Sequence, residues 1–107
     1  MRIHALTMTF PKFETYELGS QLRRSSNSVA ANLAEGFGNK HNNIYTECIS
    51  RSQGELRETR HHLRIAYNKE YLSKEDYLLL RDELEVCSKM LFRLQESIYQ
   101  HWNRKVS

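Results

Sequence analysis

The chain has 107 residues, room for one modest core, with 39% hydrophobic and 27% charged residues, a net charge of +3 and a pI of about 9.0. One proline and four glycines argue against a turn-rich sheet protein, and no apolar run reaches membrane-spanning length. With no secretory leader visible, the expected location is cytoplasmic, and the mild positive charge permits an anionic partner without requiring one.

The spacing of apolar residues predicts four helices, over about 2–8, 12–36, 43–69 and 73–103, in a single domain spanning 1–107. Met1 to Met8 allows about two turns before Thr9-Phe10-Pro11 interrupts them. Pro11 suits the first turn of a second helix, with Glu14 and Glu17 near its positive end. Gly36 and Gly38 are expected to supply left-handed conformations that stop it. Within this helix Leu18, Leu22, Val29 and Leu33 share an apolar face. Beside them runs a stripe of mostly short polar side chains: Gln21, Arg24, Ser25, Ser28, Asn32 and Glu35.

Asn42 or Asn43 is the expected N-cap of the third helix, whose Tyr45, Ile49, Ser52, Leu56, Thr59, Leu63 and Ala66 step by four and three along a packing seam. Tyr71-Leu72 turns the chain, and Ser73 caps the fourth helix with Glu75 and Asp76 in its first turn. That helix has its own seam, from Tyr77 through Leu80, Leu84, Cys87, Leu91 and Leu94 to Ile98. Further apolar residues lie off the seam: Leu79, Val86 and Met90 on one flank, Phe92 on another. These four are the expected oligomer interface; a small bundle that simply uses a broad face is the other reading.

Gln21-Leu22-Arg23-Arg24, followed by Ser28-Val29-Ala30-Ala31-Asn32-Leu33-Ala34-Glu35-Gly36-Phe37-Gly38, resembles the hallmark of the small bacterial four helix bundle proteins, also called 23S rRNA intervening-sequence proteins. Phe10-Pro11, Ser52 with Glu55-Leu56, and Tyr71-Leu72 extend the likeness to nearly the whole chain from Phe10. The resemblance implies an all-α, antiparallel up-down four-helix bundle, here with a short or truncated first helix. It further implies a homo-oligomer, often a ring-like pentamer, with RNA or DNA as partner. The accessory variability determinant of diversity-generating retroelements is similar; it works beside a reverse transcriptase and binds nucleic acid through a basic surface. Family members commonly carry proline where Ala30 stands, which implies a straighter second helix in this chain.

The best basic patch is Arg57, Arg60, His61 and Arg64, on one side of the third helix away from its seam. Arginine bonds phosphate in a forked geometry, and clustering sums the field. Arg24 and Lys40 are expected to extend this surface, with Arg51, Arg104 and Lys105 as further candidates; a solvated face partly neutralised by Glu55 and Glu58 is the plainer reading. Arg23, Asn32, Glu35, Ser52 and Glu55 are expected to form a structural polar network between the second and third helices.

Glu58-Thr59-Arg60-His61 has the Glu-x-x-His spacing of di-iron bundles, but no second such pair occurs, so no metal or cofactor is expected. Cys48 and Cys87 have no metal or redox spacing and read as free thiols. Without a phosphate loop or a nucleophile–base set, the chain is not expected to be an enzyme. The expected function is a non-enzymatic nucleic-acid-associated accessory protein, a homo-oligomeric bundle that holds RNA or DNA backbone on a basic surface. The alternative is a protein-interaction scaffold that binds no nucleic acid, and no membrane partner is expected.

Overall fold

The computed structural model describes residues 3–37 and 42–106, with side chains for 3–36 and 45–101. Five helical segments follow one another: α1 (Ile3–Thr7), α2 (Lys12–Tyr16), α3 (Leu18–Phe37), α4 (Asn42–Asn68) and α5 (Lys74–Val106). Among the described residues there is no strand, and the architecture is an all-α bundle. The α2–α3 pair acts as one broken helix, so the bundle has four members, the first of them short.

The break falls at Glu17, whose φ of −93° and ψ of −89° leave the helical region. The 12–36 helix expected from spacing is therefore not continuous. Its interruption comes from side chains competing for carbonyls. Thr15 Oγ1 donates toward the carbonyls of Phe10 and Pro11, and the Arg23 guanidinium takes the Thr15 carbonyl at 3.0 Å. The same guanidinium reaches Thr7 Oγ1 at 2.8 Å, which ties α1 to α3. Gly19, beneath this contact, is confined: a Cβ there would meet Arg23 Nη1 at 3.1 Å and Thr7 Cβ at 3.3 Å.

α4 ends in a closed turn. The Tyr71 amide donates to the Ala66 carbonyl and the Glu70 amide to the Tyr67 carbonyl, both at 2.9 Å, with Glu70 in the left-handed region at φ 64°. Ser73 then caps α5 as its sequence position requires: the Asp76 amide donates to Ser73 Oγ at 3.0 Å.

α4 is antiparallel to both of its long neighbours. On the α3 side Ser25 faces Thr59 and Val29 faces Ser52; on the α5 side Tyr67 faces Tyr77 and Ser50 faces Gln95. The seams meet as expected. Leu22 of α3, Ile49, Leu56 and Leu63 of α4, and Leu80 and Leu84 of α5 are all at most 2% exposed. Each such side chain contributes about 1.5–3 kcal/mol of transfer free energy. α1 and Phe10 close the end near the α4–α5 turn, where the Phe10 and Tyr71 rings lie 5.4 Å apart. The bundle is long and thin, 55 × 22 × 16 Å, because α5 alone spans about 50 Å at about 1.5 Å per residue.

Gly36 has a different role from the one its position suggested. It is buried inside α3, and no described glycine has a positive φ. A Cβ at Gly36 would lie 3.0 Å from Cys48 Cβ, so its bareness lets α3 and α4 approach. Gly38 lies outside the described residues.

Candidate nucleic-acid interface

Positions 57, 60, 61 and 64 recur at helical spacing, so α4 carries their side chains as one cluster away from its buried seam. The antiparallel register with α5 places Arg81 and Tyr77 beside them. Together Arg57, Arg60, His61, Arg64, Tyr77 and Arg81 line an open concavity of about 340 Å³. The Tyr77 ring is stacked there on Tyr67, with centroids 4.4 Å apart and planes 4° from parallel.

Charge pairing within the cluster is incomplete. Glu85 meets Arg60 at 3.4 Å and Asp82 approaches Arg81 at 3.7 Å, both pairs solvent-exposed and hence weak. Arg57 and Arg64 have no acidic partner among the described residues. The concavity thus offers guanidinium donors that no carboxylate consumes, the feature that a phosphate would use.

Arg24 is placed elsewhere. It pairs with Glu58 and approaches Glu55 at 3.7 Å, on the α3 side of α4. Glu58 is shared with His62, whose Nε2 lies 3.4 Å away. Glu58 is thereby turned from His61, its Glu-x-x-His companion, which lines the concavity. Arg51 is likewise on another face. It bonds Glu47 at 2.7 Å, and that hydrogen bond raises its already high pKa, with Glu35 adding a smaller charge effect. Lys40 lies outside the described residues, as do the side chains of Arg104 and Lys105.

The expected polar network is only partly assembled. Ser52 donates to the Val29 carbonyl at 2.8 Å across the α3–α4 interface, and Glu55 faces Arg24. Asn32 instead bonds the Ser28 carbonyl in its own helix, Glu35 is exposed, and Arg23 turns toward α1. The buried pair that joins the helices is Ser25 with Thr59, 2.8 Å apart. The spacing of Thr59 shows only its place on the seam, not this partner.

The four residues expected at an oligomer interface separate into two groups. Leu79, Val86 and Met90 share one exposed flank of α5, and Leu79 borders Ala5 and Leu6 of α1. Phe92 is not with them. It stands at i+11 from Arg81, with Tyr99 at i+18, so it follows the arginine row on the flank beside α4. Arg81 was missed by sequence reasoning because only the α4–α5 register brings it opposite Arg64.

Cys48 is buried and Cys87 half-buried, both free thiols. No helix among the described residues is long and apolar enough to cross a membrane. Residues 1–93 match the family model described as 23S rRNA-intervening sequence protein. No curated protein matches the chain.

Proposed function

The chain belongs to the 23S rRNA-intervening sequence protein family, and on that premise we propose a non-enzymatic accessory protein that binds nucleic acid through the α4–α5 arginine surface. The observation that carries this reading is the convergence of Arg57, Arg60, Arg64 and Arg81 on one concavity, with Arg57 and Arg64 free of acidic partners among the described residues. Contact would be made to phosphate, because no groove-reading helix–turn–helix or finger motif accompanies the arginines. Self-association through Leu79, Val86 and Met90 would repeat the surface in each copy, so a modest charge per chain would give avid binding. A ring-like pentamer is the assembly that the family likeness suggests, and a cytoplasmic setting suits it. In a retroelement the neighbouring partner would be a reverse transcriptase.

The test is equilibrium binding to a structured RNA and to duplex DNA at low salt, with Arg57→Ala/Arg60→Ala/Arg64→Ala beside the wild type. Binding that the triple change abolishes supports the reading. No binding by the wild type, or equal binding by the variant, removes it. The exposed Leu79–Val86–Met90 flank also suits a second reading, a protein-interaction scaffold. A complex that survives nuclease treatment and is lost in Val86→Glu/Met90→Glu would favour that scaffold.

A further inference from the structure

The outer groove between α4 and α5 carries more than charge. At one end are Arg57 and Arg64, without an acidic partner among the described residues, and Arg81, whose contact with Asp82 is exposed and weak. Further along the same row of α5 come Phe92 and Tyr99, each 62% exposed, although rings of this size normally bury most of their area. Arg81 to Tyr99 spans about 27 Å at about 1.5 Å per residue. Between them the groove carries polar residues and two carboxylates, Glu85 and Glu96, which stand four residues beyond Arg81 and Phe92. Gln53 of α4 stands opposite Phe92 by register, and Gln95 Nε2 donates to Ser50 Oγ at 3.2 Å. Glu85, the acidic residue nearest the arginines in this row, is engaged by Arg60.

This order of features selects among nucleic acids. A duplex buries the faces of its bases in the stack, so it has no use for exposed rings. An unpaired strand has both needs: cations along its backbone and aromatic faces for its bases. We propose that the α4–α5 groove takes an unpaired nucleic-acid strand, with phosphates on Arg57, Arg64 and Arg81 and bases stacked on Phe92 and Tyr99. The inference rests on the nucleic-acid reading above and narrows it to single strands.

The test compares a short single-stranded oligoribonucleotide with a hairpin duplex of equal phosphate number, at one salt concentration. Four proteins are used: wild type, Arg81→Ala, Phe92→Ala and Arg93→Ala, all at exposed positions. Arg93 is the control: its loss removes the same charge from the outward face of α5, off the row of Arg81 and Phe92. The expected result is a preference for the single strand of roughly tenfold in the wild type, the size that stacking of one or two bases supplies. Phe92→Ala should remove most of that preference, Arg81→Ala should weaken both ligands alike, and Arg93→Ala should leave both affinities and the preference unchanged. Equal binding of hairpin and single strand by the wild type overturns the inference while leaving the nucleic-acid reading intact. So does a loss in Arg93→Ala matching that in Arg81→Ala. Binding of neither ligand by the wild type overturns both.

Discussion

Thr59 Oγ1 lies 2.8 Å from Ser25 Oγ in the buried contact between α3 and α4, and Ser25 in turn reaches the Leu22 carbonyl at 3.3 Å. Both residues are wholly buried, so their hydroxyls have only each other and nearby carbonyls as partners. Thr59→Val keeps the shape and removes the link; it should cost about 1–2 kcal/mol. Ser25→Ala/Thr59→Val should cost less than the sum of the single changes, because the double variant leaves neither hydroxyl deprived. Urea unfolding of the four proteins measures this. Strict additivity would show that the two hydroxyls are not coupled.

Gly36 tests how closely the same two helices approach. Alanine there would gain about 1 kcal/mol of helix propensity. Its Cβ would also press on Cys48 Cβ at 3.0 Å, an atom fixed to the backbone and unable to rotate away. Overpacking of this kind costs about 1–3 kcal/mol, so Gly36→Ala should lower the unfolding midpoint. A raised midpoint would place α3 and α4 farther apart than the structure does.

The α4–α5 turn gives two predictions of opposite sign. Glu70 occupies a left-handed conformation, so Glu70→Gly should stabilise the protein by up to about 1 kcal/mol. Ser73→Ala removes the side-chain acceptor of the Asp76 amide and should cost about 1 kcal/mol. Thermal unfolding of both variants reads the two signs together.

The exposed flank of α5 makes a prediction about assembly. If Leu79, Val86 and Met90 are the contact between copies, Val86→Glu/Met90→Glu should reduce the mass in light scattering to that of the 12.7 kDa chain. Phe92→Ala should leave the mass unchanged, because Phe92 lies on the other flank. A wild type already monomeric would contradict self-association.

Much of the scaffold could be read from residue spacing. The seams of α4 and α5 step by four and three over many turns, and Ser73 precedes two acidic residues in the pattern of a capped start. Other features depend on long-range geometry that spacing does not contain. The break at Glu17 needs Arg23 to reach back to the Thr15 carbonyl. Gly36 looked like a helix stop because glycine serves both helix ends and close packing, and only its neighbour Cys48 distinguishes them. The basic patch was visible as Arg57, Arg60, His61 and Arg64, since one helix holds them all. Arg81 and the separation of Phe92 from Val86 depend on helix pairing. The sequence position of Arg24 suits the patch and does not reveal that Glu55 and Glu58 claim it.

The central claim is that the arginine surface of α4 and α5 contacts phosphate, and salt dependence measures it most directly. Affinity for a single-stranded RNA should fall linearly in log–log form with salt, because each neutralised phosphate releases counterion at a slope of about −0.7. Arg57→Ala/Arg60→Ala/Arg64→Ala should flatten that slope by about 2 units, and the corresponding change to lysine should keep it near the wild-type value. A slope that is the same in wild type and alanine variant, or no measurable binding at low salt, would contradict the account.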